Sequence, residues 1–188
     1  MLEGKKVPPP LPLSQWKTWT YAEYFSDAQA AAKALISLGV EKFDSDNIWG
    51  NNSPEWFLAD LAAILAGGKA AGIYPTDTID QVTFKCAHSG SKVVFVEDNG
   101  KLDMFSQMVE DLPNLVAIIV WAEKPAASTM VRKTRSGGAV AVLSWDQFVA
   151  KGTSIEDSVV NQRMDAQDPG HCCTLVRLQR PLVPAIAA

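Results

Sequence analysis

Residues 47–78 read NIWGNNSPEWFLADLAAILAGGKAAGIYPTDT. This segment constrains the fold more than any other. A short apolar run (47–50) meets a polar turn, and Ser53 and Pro54 then open a helix. Ser53 has the side-chain oxygen an N-cap needs, and Pro54 falls at the first helical position, where its missing N–H costs nothing. Glu55 adds negative charge at the positive end of the helix dipole. The apolar helix stops at Gly67-Gly68, and a second strand (69–74) follows. Strand, helix and strand in that order form one βαβ unit, the building block of a parallel sheet.

The alternation extends both ways. Upstream, Thr20 and Glu23 form a capping box. Tyr21, Tyr24, Phe25, Ala28, Ala32, Leu35 and Ile36 follow the spacing of one helical face, and Gly39 is placed to end that helix. Downstream, Thr78 and Gln81 box a helix running to about His88. Residues 92–97 (KVVFVE) read as a strand, 99–112 as a helix, and 115–121 (LVAIIVW) as a strand buried on both faces. Residues 124–138 read as a polar loop and 139–143 as a short strand. Ser144 and Gln147 box another helix, with Leu143 and Phe148 as its hydrophobic staple and Gly152 as its stop. The expected fold class is α/β: a partial doubly wound parallel sheet with flanking helices. Residues 1–17 are expected to be a Pro-rich, extended, poorly ordered lead-in.

Bulk properties narrow the function. A chain of 188 residues, 47% hydrophobic and 20% charged, supports one globular domain with a sizeable core. A net charge of −4 gives no basic field for DNA or RNA. Three cysteines, two of them adjacent, do not form a disulfide framework and fit a reducing compartment. No segment approaches the roughly 20 apolar residues of a bilayer span. The leader MLEGKKVPPPLPLSQ lacks the apolar core of a signal peptide. The absence of targeting signals leads to an expectation of a cytoplasmic protein and leaves peripheral membrane contact through a surface patch open.

Candidate sites are few. Gly67-Gly68-Lys69 follows a helix and precedes a strand, the reverse of Walker A, so it reads as a helix stop. No dinucleotide fingerprint occurs. Cys86 and His88 end a helix, and two histidines are too few for an ordinary metal set. His171, Cys172 and Cys173 are contiguous, and neighbouring strand residues point to opposite faces. No metal site is expected from either group. Trp49, Trp56 and Trp121 read as core. Asn51, Asn52, Thr76 and Asp77 follow strand ends, where doubly wound sheets bind ligands, and are the site candidates. Turn and cap chemistry is the competing reading for them.

Several pieces resemble, in order, the amino-terminal domain of adenylate-forming long-chain fatty acyl-CoA synthetases. They are Thr18-Trp19-Thr20-Tyr21, Asn52-Ser53-Pro54-Glu55-Trp56, and the run from Ala66 through Gly72-Ile73-Tyr74-Pro75 to Thr76. Asn47-Ile48-Trp49-Gly50 and His171-Cys172-Cys173-Thr174-Leu175 are most similar to the bubblegum-type branch. The resemblance implies an incomplete amino-terminal domain over residues 18–176. It also implies a ligase lineage in which a fatty acid attacks ATP to give acyl-AMP, and coenzyme A then displaces AMP. ATP, Mg²⁺ and CoA are the cofactors and partners of such enzymes. In them Thr-Leu leads into a loop of the type Thr-Ser-Gly-Thr-Thr-Gly-x-Pro-Lys. Here residues 177–188 (RLQRPLVPAIAA) diverge, and no position matches a catalytic motif of the family. No catalytic or cofactor-binding residue is therefore assigned, and this chain alone is expected to be inactive. The divergent tail is expected to come from a frameshift, an intron read as coding sequence or an alternative exon. The alternative is a non-enzymatic α/β binding or regulatory module that pairs with a full-length relative. An unrelated small nucleotide-binding protein is the weakest reading, because no phosphate loop is present.

Overall fold

The computed structural model describes residues 11–125 and 131–176. Most of the lead-in, the middle of the 124–138 segment and the 177–188 tail lie outside those residues. Helix α1 (Tyr21–Ser37) starts at the Thr20/Glu23 capping box and passes through Leu38 to Gly39, whose φ of +85° is a left-handed conformation that glycine adopts freely. Strand β1 (Ser45–Trp49) leads to α2 (Pro54–Leu65), capped by Ser53, and then to β2 (Lys69–Ile73). Helix α3 (Ile79–Ser89) carries the Thr78/Gln81 box and precedes β3 (Ser91–Val96). Helix α4 (Asn99–Ser106), β4 (Ala117–Val120), β5 (Val131–Lys133) and β6 (Ala139–Ser144) follow. Helix α5 (Trp145–Lys151) has the Ser144/Gln147 box, and α6 (Asp157–Asp165) leads to the two-residue β7 (Thr174–Leu175).

The seven strands lie in the order β5-β6-β4-β3-β1-β2-β7. Six are parallel, and β5 pairs antiparallel with β6 at one edge. Handedness then sets the layers. The chain steps from β1 to β2 in one direction, and α2 covers one face. It steps back from β2 to β3 and on to β4, so α3 and α4 cover the other. The return to β7 brings α5 and α6 to the α2 face. The core divides accordingly. Ile48, Phe95 and Ile119 pack with Ala31, Ala62, Phe148 and Val160 on one side. Trp49, Val94 and Ile118 pack with Val82, Cys86, Leu102 and Phe105 on the other.

Four expectations need correction. Tyr21 and Phe25 do not share the buried face of α1, and Tyr21 is 94% exposed. The buried stripe is Ala28, Ala31, Ala32, Ala34 and Leu35, small residues that let α2 approach closely. The helix expected over 99–112 ends at Ser106, and a 3₁₀ turn (Val109–Asp111) follows. Pro113 disfavours helical backbone at Leu112, which sits at φ −113°, ψ 80°. The 124–138 loop contains β5. Helix α6 was not anticipated. It lacks a side-chain cap, and its anchor is tertiary: Arg163 donates to the Val40 carbonyl at 2.7 Å and the Ala66 carbonyl at 3.1 Å.

Candidate functional site

An open cleft of about 600 Å³ lies at the carboxyl ends of β1, β2 and β7. The loop after β1 leaves toward one face of the sheet and the loop after β2 toward the other. Divergent loops of this kind leave the crevice in which doubly wound sheets bind ligands. Asn51 and Asn52 enter from β1, Tyr74 and Pro75 from β2, and Leu175 and Val176 from β7. Trp56 and Asp60 complete a wall from α2, one helical turn apart and hence on one face. The indole of Trp56 packs over Gly72 of β2. A Cβ at that position would lie 3.4 Å from the ring.

Two of the four predicted site residues reach this cleft. Asn51 is held there by Glu97 at the end of β3, which accepts from its backbone N–H at 3.2 Å and its amide at 3.0 Å. Burial would raise the Glu97 carboxyl. Its hydrogen bonds with Lys101 and Asn51 outweigh that and hold it below the usual range. Asn52 also lines the cleft. Thr76 and Asp77 do not. Asp77 turns inward and pairs with Lys85, a buried contact with no signature in the local sequence. The carboxylate also accepts from the Tyr74 N–H at 3.1 Å, and the Lys85 ammonium lies 5.0 Å from the centre of the Tyr74 ring. This pair fixes the turn that forms one lip of the cleft. Trp56, read as core from the sequence, is only part-buried and lines the cleft, while Trp49 and Trp121 are buried as expected.

The electrostatics of the cleft are unusual for a phosphate site. None of the described residues that line it is a lysine, arginine or histidine. Its one ionisable acid, Asp60, is pushed above the usual carboxylate range by burial. Tyr24, nearby on α1, is raised by burial and then by the Asp60 charge. The amino end of α2 offers little to an anion. Ser53 accepts from Trp56 N–H at 3.1 Å, Pro54 has no N–H, and Glu55 is negative. The arrangement suits a neutral or hydrogen-bond-donating group against an indole wall.

The other candidates lie apart. Cys86 is buried, and its thiol is raised well above the usual range by desolvation. His88 stacks on Phe84 with centroids 5.7 Å apart. His171 packs edge-on to Phe43 and accepts from Asp168 N–H at 3.0 Å. Cys172 and Cys173 are exposed and precede β7 rather than lying in a strand. Among the described residues, no cluster of three His, Cys, Asp or Glu side chains is placed to hold a metal ion. None of the helices described is long and apolar enough to cross a membrane.

Comparison with known proteins agrees with this architecture. The family model for AMP-binding enzymes matches residues 8–175. The long-chain-fatty-acid–CoA ligase ACSBG2 of Xenopus laevis is 33% identical over 162 residues, covering 86% of this chain and 21% of the relative. ACSBG2 of Gallus gallus is 34% identical over 163 residues, and ACSBG1 of Homo sapiens is 27% identical over 162. The chain thus spans about a fifth of the length of the curated relatives it matches. Among solved structures, the adenylation domain of carboxylic acid reductase from Segniliparus rugosus superposes with a TM-score of 0.62 at 18% identity, over 74% of this chain and 24% of that one. The anthranilate CoA ligase AuaEII gives 0.59 at 20% identity, over 70% and 23%. At such identities the structural likeness speaks for the fold alone. With a family model matched over most of its length, the chain belongs to the AMP-binding enzyme family.

Proposed function

We propose that this chain is the amino-terminal sheet layer of an ATP-dependent long-chain fatty acid–CoA ligase and that, by itself, it does not activate fatty acids. The lineage rests on the relatives, which are long-chain fatty acid–CoA ligases of the bubblegum type. The inactivity rests chiefly on the cleft. Adenylation needs positive charge and N–H donors around the phosphates of ATP. The described cleft instead presents the Trp56 indole, the Asp60 carboxyl and two asparagines, and none of its described lining residues is a lysine, arginine or histidine. Fatty acid, ATP and CoA are thus partners of the whole ligase, whose phosphate-holding groups lie elsewhere.

Two experiments separate the halves of this proposal. The purified 188-residue protein, given a long-chain fatty acid, ATP and Mg²⁺, is expected to release no pyrophosphate above the blank. Fatty-acid-dependent release would overturn the inactivity. A chimera joining residues 1–175 to the remainder of an ACSBG2 relative is expected to form acyl-CoA. A folded but inactive chimera would count against the lineage.

A further inference from the structure

Asp46 lies within β1, opposite Ala70 of β2 and Val93 of β3. It is 0% exposed, and neither carboxyl oxygen has a hydrogen-bond partner. The neighbouring Ser45 hydroxyl is likewise buried and unpartnered. Strand alternation places Asp46 on the same face as Ile48, toward the apolar layer of α1, α2 and α6. We propose that Asp46 is a proton-linked lock on the amino end of the central strand, holding the fold firmly while its carboxyl is neutral and loosening it as that proton is lost.

The charged groups around that end of the sheet are already engaged or too far to hydrogen-bond Asp46. Lys92 of β3 pairs with Asp44 at 3.5 Å. Arg163 of α6 is taken by the Val40 and Ala66 carbonyls and by Glu41. Lys42 donates to the Ala166 carbonyl, and Lys33 of α1 pairs with Asp157. Lys69 of β2 makes no hydrogen bond to Asp46. Glu55 and Asp60 of α2 lie toward the opposite end of the sheet.

Removing a carboxylate from water without a partner strongly disfavours its charged form. Burial pushes Asp46 up to about 8; the nearby Val93 backbone, which does not reach hydrogen-bond geometry, opposes it, the Asp44 charge adds to it and Lys92 opposes it. In the unfolded chain the same group ionises near 4. The folded state therefore binds the extra proton between those values. Stability is greatest below pH about 4 as far as Asp46 is concerned. It falls as pH rises to about 8 and levels off above. The unfolding constant should rise by up to tenfold per pH unit across that window.

The test is urea unfolding of the full chain from pH 5.5 to 8.5, for wild type, Asp46→Asn and Asp46→Val. Above pH about 7.5 ionisation of the unfolded Cys86 thiol, which burial raises in the folded chain, adds a slope common to all three proteins, so the reading is the difference between wild type and the variants. The wild-type unfolding constant is expected to climb several-fold per unit toward pH 8, and both variants are expected to be much flatter. Equal slopes for all three would overturn the proposal. Should neither variant fold, a ¹³C carboxyl titration of the wild type reads Asp46 directly. A midpoint near 8 supports the lock, and a midpoint near 4 refutes it.

Discussion

Replacing Lys85 by Met isolates the energetics of the cleft lip. Asp77 and Lys85 keep only 4% and 7% of their side chains exposed, and their charges are in direct contact. Methionine nearly matches the length of the lysine stem and fills the same space, so packing changes little and the lost ammonium dominates. Breaking a buried pair by removing one partner costs about 3–5 kcal/mol, because the other charge is left uncompensated. Asp77 retains one bond from the Tyr74 N–H, which places the expected cost near the lower end, about 3 kcal/mol. For a chain of this size that lowers Tm by roughly 6–12 °C.

The double variant Asp77→Asn/Lys85→Met removes both charges and leaves an amide oxygen for Tyr74 N–H. It should recover to within about 1 kcal/mol of wild type. Urea unfolding at pH 7 measures all four corners of this cycle, and repeating it at high salt should leave the coupling nearly unchanged, since the pair is shielded from solvent ions. If Lys85→Met alone costs less than about 1 kcal/mol, the pair behaves like a surface ion pair and the reasoning fails. Additive single and double costs would refute it as well.

Other outcomes follow from single contacts. Gly152→Ala would place a Cβ 2.7 Å from Ala34 N and 2.9 Å from Ala30 O, backbone atoms of α1 that yield little; thermal melts should show a loss of about 1–3 kcal/mol. Thr78→Ala removes the N-cap of α3, and chemical unfolding should register about 1 kcal/mol. Glu97 titrates below the usual carboxylate range, so its contribution is present above pH about 4.3 and is lost as pH falls through its folded value. The Tm gap between wild type and Glu97→Gln should therefore be positive at pH 7 and shrink below pH about 4.

Much of the architecture was legible because its signals are local. Thr20, Thr78 and Ser144 each carry a Glu or Gln three residues on, and all three boxes form. The β-branched run of β3 and the apolar run of β4 also read directly. The elements without a local signal depend on distant partners. Helix α6 has a polar sequence and is tied down by Arg163, whose acceptors Val40 and Ala66 are 123 and 97 residues away. Strand β5 is three residues of the type V-R-K, and only its antiparallel contact with β6 makes it a strand. Tyr21 and Phe25 fit a helical period, but period alone does not say which end of a helix overhangs its neighbours.

The cleft was half legible for a related reason. Asn51 and Asn52 were visible as polar residues after a strand, and a parallel sheet places such residues at one edge. Trp56 looked like core because large aromatics usually are. It becomes a wall because α2 and α3 leave adjacent strands for opposite faces, opening the sheet edge just where the first turn of α2 begins. Asp60 then follows from helical geometry, four residues on. The same crossover rule that fixes the layers thus fixes the position of the cleft, while its chemistry depends on side chains the rule does not specify. Among the described residues those side chains are amides, aromatics, aliphatics, a threonine and an acid. The topology supplies the crevice common to doubly wound folds, and the residues lining it argue against its holding phosphate unaided. Substituting Asp60→Asn tests that separation. If the acid is what repels anions, ATP binding by calorimetry should strengthen in the variant while the fold stays intact. Unchanged, undetectable binding would mean that the lack of cationic side chains among the described lining residues, rather than the acid, sets the limit.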